Sequence, residues 1–216
     1  MAKTKTKIPT VVLDIDDTVV HFCNFLCYAY NNIHHTSITE SDLTTWDFTT
    51  TKVTDHSGKT VSGVEIRQFF KDYEAHGFYT ALPPIKESVL AIDFIRKMGY
   101  KVILLTARDE KYRKDTELNF SINKIQYDEI IFNAEKVKQI NKLARKHNIV
   151  AFADDKYDYV RDVAETDKVN ICYLINKAHN LSVNTGDDLI RVNDLLEIVR
   201  TLPNISENQT LGGRNV

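Results

Sequence analysis

The stretch Val11-Val12-Leu13-Asp14-Ile15-Asp16-Asp17-Thr18 constrains this chain more than any other. A short run rich in β-branched residues ends abruptly in three carboxylates and a hydroxyl. The run is too short for an independent helix and reads as a buried parallel strand. Carboxylates at the end of a buried strand are costly unless a cation meets them. The plainer alternative is a helix N-cap, because Asp and Thr cap helices well. The remainder of the chain decides between the two.

Downstream of position 85 the pattern is regular. Ile85 to Lys97 carries a helical stripe at Ile85, Val89, Ile92 and Ile95, stopped by Gly99. Strands are expected at Lys101 to Thr106, Tyr127 to Asn133, Ile149 to Ala153 and Val169 to Ile175. Helices are expected between them, at Glu110 to Ser121, Glu135 to His147 and Tyr159 to Thr166, with a last one at Val192 to Leu202. Strands alternating with helices predict an α/β fold, an open Rossmann-like parallel sheet flanked by helices. Residues 20 to 82 differ in texture. His21 to Asn32 and Val64 to His76 read as helices, separated by a stretch rich in Thr, Ser, Asp and His around Trp46 and Phe48. The expected organisation is a core of 8–20 and 83–203, a small, mostly helical cap at 21–82 inserted after the first strand, and a polar, disordered tail at 204–216.

Composition narrows the function. The 216 residues suffice for one domain with an insertion. A net charge of -2 gives no polyanion-binding signature, so long nucleic acid is not favoured as a partner. No apolar run approaches the roughly 18 residues that span a bilayer, and Met1 to Lys7 lacks the apolar centre of a secretion signal. Cys23, Cys27 and Cys172 are sparse and odd in number, as expected for a reducing cytoplasm.

In open parallel sheets ligands sit at the carboxyl ends of the strands. There this chain places Asp14 to Thr18, then Thr106-Ala107-Arg108-Asp109, then Asp154-Asp155, with Lys136 opening a helix on the same rim. Such a set suits a divalent cation and a phosphoryl group, since Mg²⁺ favours a few carboxylates, water and phosphate oxygens. Asp14 and Asp154 can supply carboxylates to the metal. A carboxylate can also be the nucleophile, and a second one two residues on can move the proton. Thr106 and Lys136 would hold the non-bridging oxygens. Lys138 competes with Lys136, and Asp155 with Asp154. Asp17 reads as a cap or a neighbouring acceptor.

These four segments, in this order, resemble the motifs of the haloacid dehalogenase superfamily. The resemblance implies Asp14 as nucleophile, Asp16 as general acid and base, and Thr106 and Lys136 as phosphate ligands. It also implies Mg²⁺ held by Asp14, Asp154 or Asp155, and the main-chain carbonyl of Asp16. A narrower likeness is to the 5'(3')-deoxyribonucleotidase family, carried by Phe22, Gly77-Phe78-Tyr79 before Leu82-Pro83-Pro84, and Ala178-His179-Asn180. Asp17 stands where that family usually has Gly. The likeness implies a nucleoside monophosphate as the small-molecule substrate. Phe22, Trp46, Phe48 and one of Phe69 and Phe70 would then form a stacking wall, and Thr18, Ala107 and Arg108 are the remaining expected substrate contacts. Alternatives on the same scaffold are a polynucleotide 3'-phosphatase, a sugar-phosphate phosphatase, a catalytically silent binding module and a phosphorylation receiver. Retention of both Asp14 and Asp16 speaks against the silent module, and the long insertion after the first strand, with Asp16 placed for acid/base work, speaks against the receiver.

Overall fold

A computed structural model describes residues 7–48, 50–55, 57–186, 189–203 and 205. The expected tail at 204–216 lies almost wholly outside the described residues, as do the first six positions. The chain opens with β1 (Ile8–Leu13) and passes through α1 (Phe22–His34), β2 (Lys52–Thr54), β3 (Thr60–Ser62), α2 (Gly63–Glu74) and α3 (Phe78–Ala81). It then alternates: α4 (Lys86–Lys97), β4 (Lys101–Thr106), α5 (Arg113–Ile122), β5 (Glu129–Phe132), α6 (Lys136–Leu143), β6 (His147–Asp154), α7 (Tyr157–Ala164) and β7 (Val169–Ile175). The last elements are β8 (Ile190–Val192) and α8 (Leu195–Thr201).

Six strands form one sheet in the order β5-β4-β1-β6-β7-β8, with every pairing parallel. Each strand must be apolar on both sides because helices cover both faces. Val11 and Leu13 face one core cluster, and Val12 between them faces the other, with Ile140, Val160 and Val163 from α6 and α7. From β1 the chain builds outward to β4 and β5, then crosses back to β6. The carboxyl end of β1 is therefore the switch point where a crevice opens. Leu13 is opposite Leu104 on one side and Ala153 on the other. That register brings Asp14, Thr106 and Asp154 to one rim.

The structure corrects several boundaries. Within the insertion, the polar stretch between its two main helices carries an antiparallel hairpin of β2 and β3 that was not expected. Its turn is built on Asp55, whose carboxylate accepts from Ser37, Ser57 and Lys59 backbone N–H groups, with Gly58 at φ +82°. Three-residue strands rich in Thr and Ser leave too little alternation to read. The same shortness hides β8. Helix α6 ends at Leu143, four residues before the expected end at His147. His147 belongs instead to β6, where it pairs opposite Ile8 and its ring Nδ1 lies 2.9 Å from Thr10 Oγ1.

Two local features shape the crevice. Asp17 sits at φ +52°, a left-handed position that Asp tolerates better than most residues and that Gly adopts freely. Its carboxylate accepts the Cys23 N–H at 3.0 and 3.1 Å, capping the first turn of α1. Gly63 at the start of α2 lies so close to Phe48 that a Cβ there would stand 1.4 Å from the Phe48 carbonyl oxygen. Only glycine permits that approach, and it seats α2 against the Trp46–Phe48 segment. Among the described residues, no helix is long and apolar enough to cross a membrane.

Candidate active site

At the switch point four charged side chains are buried together. Asp14 continues β1, its N–H donating to the Ala153 carbonyl at 2.9 Å. Lys136 is the first residue of α6 and only 2% exposed. Its ammonium donates to Asp14 Oδ1 and to Asp154 Oδ2, the latter at 2.5 Å. The second oxygen of Asp154 accepts the Lys156 N–H at 2.9 Å. Lys138, the competitor, is exposed and paired with Glu135 at 2.9 Å, so the choice falls on Lys136.

Asp155 is different. It is fully buried, yet neither carboxylate oxygen has a hydrogen-bond partner. His179 Nε2 stands 3.2 Å from Oδ2, but also 3.1 Å from the Asp155 carbonyl oxygen. Burial holds His179 below the ordinary histidine range, which disfavours a charged pair with the carboxylate. Asn180 donates to the same carbonyl at 2.7 Å. His179 and Asn180 thus fix the Asp155 main chain and leave its carboxylate free.

The local charges do not balance. Asp14, Asp154 and Asp155 each place an oxygen within 4.8 Å of the others, against the single ammonium of Lys136. Burial pushes Asp14 up to about 7 against the pull of Lys136, with help from the charges of Asp154 and Asp16. Burial likewise pushes Asp154 up to about 6. Asp155 is raised well above the carboxylate range by burial and then by Asp17 and Asp14. Burial works to lower Lys136, but Asp14 and Asp154 together raise it above the usual lysine value.

Asp16 lies beside this cluster and is only partly buried. Arg108 grips it with two bonds, Nε to Oδ2 at 3.0 Å and Nη2 to Oδ1 at 2.6 Å. The guanidinium is itself fixed by Thr116 Oγ1 at 2.9 Å and by the Tyr79 ring 4.3 Å beneath it. Such a bidentate pair is strong and geometrically specific.

A cavity of about 470 Å³ opens over these groups, within the range that small-molecule sites occupy. Asp14, Asp16, Ala107, Arg108, Lys136 and Asp154 line one end of it. Phe22, Trp46, Phe48 and Phe70 line the side given by the inserted segment. Phe22 and Phe70 meet edge to face at 5.2 Å, and both pack on Phe78. Phe69, one position away on α2, turns inward onto Tyr30 and Tyr73. Trp46 carries Lys156 Nζ 5.0 Å above its ring and the His179 ring 5.4 Å away.

Two expected substrate contacts are not in this cavity. The positive φ of Asp17 turns the chain, so Thr18 points away. Its hydroxyl is buried without a partner, and its carbonyl accepts from Ser88 Oγ at 2.6 Å. Thr106 lies one layer beneath, its Oγ1 accepting the Arg108 N–H at 3.2 Å. Sequence reasoning missed Tyr79, Lys156 and Tyr159 as lining or bracing residues, and pointed to Arg67 only as one of several cap cations with Lys52, Lys59 and Lys71. Only the position of Lys156, directly after Asp154-Asp155, was a usable signal.

Comparison with known proteins agrees with this geometry. A family profile described as HAD superfamily, subfamily IIIB (acid phosphatase) matches residues 1–197. No curated protein sequence matches the chain significantly. Among solved structures, a HAD phosphatase from Thermococcus onnurineus superposes with a TM-score of 0.55 at 13% identity, covering 97% of this chain and 100% of that one. A dehalogenase gives a TM-score of 0.59 at 11% identity over 94% and 99% of the two chains. The HAD-hydrolase YfnB from Bacillus subtilis, bound to magnesium, gives 0.56 at 10% identity over 90% and 98%. At such identities the likeness shows the shared fold. The profile covers most of the chain: it belongs to the haloacid dehalogenase superfamily, in the subfamily IIIB acid phosphatases, and is a phosphoric monoester hydrolase.

Proposed function

We propose that the protein is a Mg²⁺-dependent phosphomonoesterase that passes through an aspartyl-phosphate on Asp14 and acts on nucleoside monophosphates. The observation that carries the proposal is the cavity joining the Asp14–Asp16–Lys136 cluster to the aromatic wall of Phe22 and Phe70. A carboxylate oxygen of Asp14 attacks phosphorus and the ester P–O bond breaks. As the substrate phosphate draws Arg108 off Asp16, the freed carboxyl takes up a proton and passes it to the departing alcohol oxygen. Water then attacks the phosphorus of the acyl phosphate, giving its proton to Asp16, and inorganic phosphate leaves with Asp14 restored. Lys136 and Arg108 hold the non-bridging oxygens, where negative charge is spread in the transition state. An aromatic face stacks on a nucleobase with about 1–3 kcal/mol.

The donor set fits a divalent cation. The buried, unpartnered carboxylate of Asp155 and the excess of negative charge are what such an ion relieves. Asp155 and Asp14 would hold it together with the main-chain carbonyl of Asp16, while Asp154, tied to Lys136 and the Lys156 N–H, anchors the lysine. When bound, the ion supplies charge neutralisation to the phosphoryl oxygens.

Phosphate release from nucleoside 5'- and 3'-monophosphates, sugar phosphates and a 3'-phosphorylated oligonucleotide tests this. Mg²⁺-dependent release from the mononucleotides, lost in Asp14→Asn, is the expected result. Release from sugar phosphates or the oligonucleotide alone would overturn the nucleotide assignment.

A further inference from the structure

The cavity has a second charged end. Helix α2 presents Arg67, Phe70 and Glu74 to it, residues spaced i, i+3, i+7 and therefore on one face. Glu74 marks the catalytic end: its Oε1 accepts the Tyr79 hydroxyl at 2.9 Å, and the Tyr79 ring underlies the Arg108 that grips Asp16. At 1.5 Å rise per residue, Arg67 stands about 10 Å further along the helix. It lies toward the end where Gly63 meets Phe48. Phe70, packed on Phe22, lies between the two ends.

Each of the other cations of this cavity has a carboxylate partner of its own. Arg108 is bound to Asp16, Lys136 to Asp14 and Asp154, and Lys111 to Asp109. Arg67 has no carboxylate partner among the described residues. Glu74 is held by Tyr79, and Asp47, also on the cavity wall, has a partner of its own. A guanidinium is a donor-only, permanently charged fork suited to phosphate.

Resting on the nucleotide-phosphatase reading, we propose that Arg67 forms a distal anion subsite, so that the favoured substrate is a nucleotide carrying a second phosphate, as in a nucleoside 3',5'-bisphosphate. One phosphate sits at Lys136 and Arg108, the nucleoside spans Phe22 and Phe70, and the other phosphate reaches Arg67. Charge-assisted pairing at a solvent-exposed arginine supports a preference of roughly tenfold.

The test compares thymidine 3',5'-bisphosphate with thymidine 5'-monophosphate on the full chain with Mg²⁺. The wild type should show a roughly tenfold higher kcat/KM for the bisphosphate, carried by KM. Arg67→Ala should bring that ratio close to one, and Arg67→Lys should restore part of it. Equal kcat/KM in the wild type, or a ratio that Arg67→Ala leaves intact, overturns the subsite. Calorimetric binding of both nucleotides to Asp14→Asn reads the same preference without turnover. If the wild type hydrolyses neither nucleotide but the binding preference persists and falls on adding Arg67→Ala, the subsite stands and the nucleotidase reading fails. Equal binding of the two nucleotides overturns the subsite whatever the activity.

Discussion

Replacing Lys136 with methionine should cost the folded protein about 3–5 kcal/mol at pH 8 and much less at pH 5. Methionine keeps most of the stem volume but removes the one ammonium lying between Asp14 and Asp154. Breaking a buried ion pair from one side is expensive because the other charges remain, and here two carboxylates remain with Asp155 beside them. The pH dependence has a definite sign. Folded Asp14 titrates at about 7 and Asp154 at about 6, both above the ordinary value of 3.8. Carboxyls raised in this way favour the folded state most fully below the unfolded value, and that contribution is lost as pH rises through 6 to 7. Without Lys136 both are raised further, so protonation relieves the variant readily at pH 5 and only at a large free-energy cost at pH 8. Urea melts of the metal-free protein at the two pH values measure this. An equal loss at both, or no loss, would mean that Lys136 does not neutralise the pair.

Asp155→Asn should act in the opposite direction. The variant keeps the shape but removes a carboxyl whose ionisation burial opposes, a cost to folding that grows as pH rises, so the metal-free variant should be more stable than the wild type at pH 8, by about 1–3 kcal/mol. Adding Mg²⁺ reverses the order. A cation present at a hundred times its Kd stabilises the wild type by about 2.7 kcal/mol, and a chain of this length gains roughly 5–10 °C in Tm from that. The variant should lose most of the gain. Because burial keeps the Asp155 carboxyl protonated well above the usual range, the cation must displace a proton, and the Mg²⁺ shift should be larger at pH 8 than at pH 5.5. Thermal melts with and without Mg²⁺ at both pH values check both arms. A variant that keeps the full shift would move the metal-ligand assignment from Asp155 to Asp154.

The parts of the site that could be read from the chain are those carried by strand ends. Asp14, Thr106 and Asp154 each follow an apolar run, and a parallel sheet brings such ends to one rim whatever the intervening residues are. Lys136 was readable for a related reason, since it opens a helix on that rim. Roles that depend on which way a side chain turns were not. Thr18 follows a residue at φ +52° and points away from the cavity. Phe69 and Phe70 are adjacent in sequence, yet one packs inside the insertion and the other lines the cavity. The division of Asp154 and Asp155 depends on His179 and Asn180, more than twenty positions downstream. Tyr79 beneath Arg108 and Lys156 over Trp46 likewise join the inserted segment to the core, and no local pattern encodes such pairs. The hairpin of β2 and β3 and the edge strand β8 escaped because three residues carry no measurable period.

Attack of Asp14 on phosphorus is the step on which the proposed chemistry turns. Rapid acid quench of the wild-type enzyme turning over a nucleotide labelled with ³²P in its phosphate, followed by peptide mapping, tests it most directly. Label is expected on the peptide containing Asp14, chased off by unlabelled substrate, and none in Asp14→Asn. Rapid turnover at high substrate with no label on the protein at any quench time would contradict it, and would place water rather than Asp14 as the group that attacks.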